Sequence, residues 1–261
     1  MKRSEMRHKI QNSSLGFLAG YVDTLGFVAL FGLFTAHVTG NFVLIGAEMA
    51  HPQGGPLLLK ILAFPAFVFG VVFARLFIAS LLKRGRHALW YAYILQLVLL
   101  IAFMVLGYMA SPIGTEPTLM AELAGIVGAM AMGTHSASGR LLLPHLAPTA
   151  MMTGNVTQLV IDSVDVIFGS ANEAVKQRCI KFLWPVVAFG VGAVGAAFAY
   201  QYAGFLALLL PIFILLYLMY IERGVIKRLQ KEKEREKERG KVQGQSKVPG
   251  KADKGKPASA S

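Results

Sequence analysis

The sequence predicts an all-α integral membrane protein with about six transmembrane helices, arranged as two inverted three-helix repeats. Three observations lead there. Apolar runs near 20 residues recur along a chain of 261 residues that is 55% hydrophobic, with a mean hydropathy of +0.55, a pattern that soluble domains rarely carry. The loops joining those runs alternate between basic and nearly uncharged. A short polar motif, Thr-Gly-Asn, occurs twice in matching surroundings.

Residues 1–14 form a basic N-terminus, MKRSEMRHKIQNSS. The apolar run 15–34 behind it imitates a signal peptide, yet it contains Asp23, outruns a typical signal core and has no clear cleavage site, so it reads as a retained first span. Further spans are expected over 57–82, 88–110, 119–137, 182–202 and 205–221. At 1.5 Å rise per residue, about 20 residues cover the ~30 Å hydrocarbon core. Two shorter apolar pieces, 42–50 and 156–168, follow the Thr-Gly-Asn motifs, and the first is too short to span.

Charge sets the orientation. Lys2, Arg3, Arg7 and Lys9 precede the first span; Lys83, Arg84 and Arg86 follow the second. Arg140, Lys176, Arg178 and Lys181 lie between the fourth and fifth, whereas the intervening loops hold only Lys60. Both termini are therefore expected in the cytoplasm. Half of the 26 Lys and Arg lie from Arg223 onward. The net charge of +12 is thus a topology signal plus a basic tail, and it does not call for nucleic acid. The expected organisation is a transmembrane domain over 15–223, with repeats at about 15–110 and 119–222, and a largely disordered tail over 224–261. That tail is either a solvated anchor or a contact to anionic lipid. The single Cys179 leaves no internal disulfide and no cysteine-rich metal site, and no cofactor motif is present.

The repeat rests on three matches in one order. TAHVTGN at 35–41 returns as TAMMTGN at 149–155; Pro65-x-x-x-Phe69-Gly70 returns as Pro185-x-x-x-Phe189-Gly190; and Glu48 and Asp162 each lie seven residues after the motif asparagine. Three spans per half place the second half upside down relative to the first. Two readings of the motif stay open. In one, Thr and Asn bond freed backbone groups and Gly allows a bend, so the chain re-enters the membrane and points helix N-termini at its middle. In the other, the motif caps a helix lying on the membrane surface.

The ordered set G-Y-V-D-T-L-G-F-V-A-L (20–30), F-T-A-H-V-T-G-N, A-M-G-T-H-S-A and T-A-M-M-T-G-N resembles the YoaK-type family, small multi-pass bacterial membrane proteins classed as a domain of unknown function. The resemblance spans roughly 15–223 and implies about six spans. It implies no reaction and no substrate. Where members commonly look like A-M-G-x-Q-N, this chain has Gly133-Thr134-His135-Ser136, which puts any role of an amide there in doubt.

Asp23 is the sharpest polar residue. A charge at mid-membrane costs ~2.5–3.5 kcal/mol on insertion scales, so Asp23 should face the bundle beside Gly16, Gly20 and Phe27. It is either a proton-coupling or cation-binding carboxylate, or a structural group bonded to another span or paired with Arg75. Arg75 itself either snorkels, pairs with Asp23 or binds an anion. His37 and His135 are candidate proton relays or satisfied interhelical donors. The expected function is a permease or channel for a small polar solute or ion, with Asp23 coupling protons, Thr39, Gly40, Asn41, Thr153, Gly154 and Asn155 forming the solute site, and Glu48 and Asp162 guarding opposite vestibules. The alternative is a non-transporting scaffold, assembly factor or lipid-interacting protein. The lipid bilayer is the expected partner, and a homo-oligomer is allowed. No P-loop, H-E-x-x-H or esterase elbow is present, so no enzyme is expected.

Overall fold

The computed structural model describes residues 2–51, 56–149 and 151–245, and among them every regular element is helical. The order is α1 (Lys2–Ala29), α2 (Val38–Ala50), α3 (Leu57–Lys83), α4 (Ala88–Ala110), α5 (Leu119–Leu142), α6 (Met152–Ile167), α7 (Glu173–Ala203), a 3₁₀ turn (Gly204–Leu208) and α8 (Leu209–Gln245). The chain divides into two units, Met1–Tyr220 and Ile221–Ser261. In the second, residues 221–245 are helical, where a largely disordered tail was expected from 224 onward; the Lys/Glu alternation over 231–236 sets opposite charges three residues apart, a spacing that supports an exposed helix. The rest of the expected tail lies outside the described residues.

Within the first unit, α1 packs along α7 and α5 packs along α3, with α4 also against α5. Glycines set these approaches. A methyl group on Gly16 or Gly20 would overlap the carbonyls of Pro185 or Phe189, and one on Gly192 would overlap that of Phe17. Gly133 and Gly70 bring α5 and α3 together in the same way, against Phe67 and Met130. Small residues let helix backbones meet where lipid supplies no hydrophobic drive. The stripe of Gly16, Gly20 and Asp23 is thus a packing face as expected, while Phe27 at its end is 36% exposed. The last helices α2 and α6 of each sequence motif lie on α3 and α7.

Leu57–Lys83, Ala88–Ala110 and the stretch Glu173–Glu236 are long and apolar enough to cross a membrane. They expose apolar side chains, among them Phe69, Phe73, Leu76, Val98, Val105, Val191 and Phe198, as a surface facing lipid does. The other two predicted spans, α1 and α5, are diluted by polar residues that they bury: Gln11, Asn12 and Asp23 on one, Thr134, His135 and Ser138 on the other.

Helix boundaries differ from expectation where the chain turns. The first span was expected to run to residue 34, but α1 stops at Ala29, and Phe31 and Gly32 take positive φ of 54° and 74°. Nothing in the hydropathy of LFGLF marks that turn. Pro185 sits inside α7 and has no N–H for the carbonyl of Lys181; the Asn12 side chain donates to that carbonyl at 2.9 Å instead.

One end of the unit collects the basic loops. Asn12 bonds Lys181 and Ala147 there, Leu142 packs against Ile78, Leu81, Ala88 and Ala92, and Arg7, Lys83, Arg84, Arg140 and Arg178 flank these contacts in sequence.

Candidate functional site

After α1 the chain folds back along it. Thr35 reaches the level of Val22 and Asp23, and its methyl group packs where a side chain on Gly26 would sit. Asp23 lies six residues before the end of α1, so α2 starts about 9 Å inside that end. The carboxylate explains why the return is stable. Its Oδ1 accepts from the backbone N–H of Ala36 at 2.6 Å and of His37 at 3.3 Å, and from the Thr35 hydroxyl at 3.4 Å. Its Oδ2 meets His37 Nδ1 at 2.7 Å. A buried carboxylate therefore satisfies the N–H groups of the two residues that lead into α2, at the end where the helix dipole favours negative charge. Asp23 is 3% exposed, and its partner is His37; Arg75 is exposed on α3, so the pairing of Asp23 with Arg75 is replaced by this contact. The His37 ring stands edge-on to Phe189, 5.6 Å between centroids.

The second half repeats the fold-back. After α5, residues 143–149 return to the level of His135, seven residues or about 10 Å before the helix end. His135 Nε2 and the Thr149 hydroxyl are 2.7 Å apart, and His135 Nδ1 lies 3.0 Å from Gln96 Nε2. A glutamine nitrogen only donates, so Nδ1 accepts and Nε2–H donates to Thr149, which makes the ring neutral. All three side chains are buried, and Thr134 beside them donates to the Gly70 carbonyl at 3.4 Å. Thr149 also lines a cavity of about 230 Å³ with Leu15, Arg140, Leu143 and Pro148.

The Thr-Gly-Asn motifs form the first turns of α2 and α6, not the residues before them. The residues at the cap positions, His37 and Met151, make no side-chain cap bond. Asn41 reaches back seven residues: Oδ1 accepts from Phe34 N–H at 2.9 Å and Nδ2 donates to the Phe34 carbonyl at 2.8 Å. Asn155 makes the equivalent donation to Pro148, also seven residues back, at 2.7 Å; proline has no N–H to return. Both amides are buried, and both clamp the returning chain. Thr39, Thr153 and Gly154 are exposed and Gly40 is half-buried, so the threonines, unlike the asparagines, present a free surface.

The two acids after the motifs have unequal settings. Asp162 is fully buried and takes a bidentate pair from Arg178, at 2.8 and 2.6 Å, with Gln158 Nε2 donating at 2.8 Å. The guanidinium and the amide hold its carboxyl below the usual carboxylate range against the opposing effect of burial. Glu48 is half-buried on α2, which packs on α3, whose first turn buries Lys60. Sequence reasoning passed over Gln96, Thr149 and Asn12. Gln96 left a signal, since it is the lone polar side chain between Tyr93 and Ser111 apart from Tyr108. Asn12 left none, because its partners are backbone groups 135 and 169 residues away.

No group of three or more His, Cys, Asp or Glu suited to a metal ion occurs among the described residues. Residues 12–221 match the model of a family described as "Protein of unknown function (DUF1275)", and the chain belongs to that family. It is 24% identical over 188 residues to the UPF0700 transmembrane protein YoaK of Bacillus subtilis (strain 168), covering 72% of this chain and 81% of the relative. No solved structure matches.

Proposed function

We propose that this DUF1275 membrane protein is a permease or channel for a small polar solute or ion, built as two inverted three-span repeats in the bacterial inner membrane with both termini cytoplasmic. The observation that carries the reading is the pair of fold-backs. Each half returns its chain to a buried titratable group on its own first helix, and each return ends in a helix whose N-terminus points inward. Thr35 packs at Gly128 of α5, and Thr149 bonds His135 seven residues further along that helix. At 1.5 Å per residue the breaks are about 10 Å apart across the middle. Non-helical backbone at that depth is found where it is buried in protein or lines a watery cavity.

In this reading the Asp23–His37 pair carries the coupling proton, with His37 reachable from one side because its side chain keeps 32% exposure. Thr149 and His135 meet solute arriving through the cavity on the basic side. Thr39 and Thr153 contribute hydroxyls from the exposed faces of the first turns. Leu18, Leu25 and Met132 are fully buried, which supports reading this conformation as an occluded state. The glycine-sealed pairs α1–α7 and α3–α5 are the natural rigid bodies, and rocking one against the other would open either side. The Asp162–Arg178 pair then latches α6 to α7.

The test uses proteoliposomes with an internal pH dye and a panel of small ions and polar solutes. Solute-dependent proton movement that disappears in Asp23→Asn, in protein that still elutes as a folded species, is the expected result. Absence of any flux from folded wild-type protein would sink the transport reading. The carboxylate would then be a clamp for the fold-back, and the protein a non-transporting membrane module.

A further inference from the structure

We propose that the basic end of the first unit carries a binding site for a phosphate-bearing anion, formed by His8, Lys9, His145, Gln177, Lys181 and Trp184. The site lies on the outer part of the second fold-back and does not rest on the transport reading. A cavity of about 160 Å³ opens between the start of α1, the 143–149 return and the start of α7. That is too small for a drug-sized ligand, whose pockets begin at about 300 Å³, and suited to a compact anion. Its walls carry Lys9, Lys181, the two imidazoles and the Gln177 amide against one carboxylate, Glu5.

Three features show a built concentration of positive charge. Among the described residues none of Arg7, Lys9 and Lys181 forms an ion pair with a carboxylate. The rings of His8 and His145 meet at a tilt of 51° with 4.5 Å between centroids, an Arg7 nitrogen lies 3.4 Å from His8 Nε2, and the Arg7 Nε is buried without a partner. Burial first, and then the neighbouring cations, push both imidazoles below their ordinary value: Arg7 acts on His8, and His8, Lys181 and Arg7 act on His145. Asn12 fixes the walls by bonding the Lys181 carbonyl and the Ala147 N–H. Trp184 is 51% exposed beside the cavity, the position of an aromatic ring at a headgroup boundary. Lys181, which lines the cavity, has its Nζ 5.9 Å from the centroid of the Phe182 ring.

The shared chemistry is a phosphate, and it comes from a lipid headgroup or from solution. Full-length protein in nanodiscs mixing phosphatidylcholine and phosphatidylglycerol, released into a native mass spectrometer, reads which lipid is retained. The expected result is selective retention of phosphatidylglycerol, reduced about fivefold each by Lys9→Gln and Lys181→Gln, and unchanged by Arg235→Gln in the distal helix. Lys9 is exposed, so its variant tests the site even where Lys181→Gln folds poorly. Inorganic phosphate titrated into detergent-solubilised protein separates the sources: saturable binding lost in Lys9→Gln supports the site with a soluble anion. Equal retention of both lipids together with no phosphate binding overturns the proposal. So does a preference that follows Arg235 and ignores Lys9.

Discussion

In the first half the chain that turns back after α1 is held by a carboxylate; in the second, the chain that turns back after α5 is held by an imidazole and a glutamine. The motifs around them are nearly the same, and each asparagine reaches back seven residues in both. The difference lies in how the backbone is satisfied. Asp23 takes two main-chain N–H groups directly, so apart from the Asn41 clamp on Phe34 the first return rests on one carboxylate. The second return is distributed: Asn155 takes the Pro148 carbonyl, Asn12 takes the Ala147 N–H, and His135 takes the Thr149 hydroxyl. One geometry is thus available to a charged and to an uncharged interior, and only the charged one is brittle.

The largest expected effect follows from that. Asp23→Ala leaves the amides of Ala36 and His37 and an imidazole without an acceptor, at roughly 3–5 kcal/mol in all, since each stranded buried donor costs about 1–3 kcal/mol. His135→Ala removes two side-chain bonds but strands no main-chain group, at roughly 2–3 kcal/mol including the cavity. Thermal unfolding of both variants in one detergent measures the gap. Equal losses would break the comparison. Asp23→Asn keeps an acceptor for Ala36 and should fall between wild type and Asp23→Ala.

That contrast also marks what the sequence discloses. The duplicated motifs, the Gly16–Gly20–Asp23 face and the alternating basic loops are all carried by side-chain identity, and they are read directly. The fold-back is not. Its bonds end on the backbone of Ala36, Phe34, Pro148 and Ala147, and a main-chain N–H looks alike at every residue. A buried aspartate without a cation therefore reads as a coupling group or an ion pair, when its first partners are amides. Gln96 and His135 were each visible as polar residues in apolar runs, but their meeting across 39 residues belongs to tertiary packing.

The asparagines sharpen the comparison at the next level down. Asn41 makes two bonds to Phe34, whereas Asn155 makes one to Pro148 and a weak contact to the Met152 sulfur. At about 1 kcal/mol per bond, Asn41→Ala should cost roughly twice what Asn155→Ala costs. Substituting Pro148→Ala supplies the missing N–H and should narrow the difference when the unfolding of the paired variants is compared. A similar contrast holds for the acids. Arg178→Gln strands the fully buried Asp162 carboxylate, so it should destabilise more than the double variant Arg178→Gln/Asp162→Asn, a reversal that urea unfolding would detect.

The smallest effect concerns the basic end and acid. His8 and His145 both have folded-state values below 6.5, so the folded protein binds these protons less readily than the unfolded chain. Their contribution is therefore fully retained above the unfolded value and lost as pH falls through it toward the lower folded values. Glu5 is the one carboxylate in the cavity walls, and Arg7 and Lys181 beside the rings oppose their protonation. Melting temperature should drop between pH 7 and pH 5, and the drop should shrink in His145→Gln. A phosphate in the cavity would favour the protonated rings and flatten the same profile. The comparison of melts with and without phosphatidylglycerol thus separates histidine titration from titration elsewhere: a drop that neither the lipid nor His145→Gln reduces would place the acid-sensitive groups in another part of the molecule.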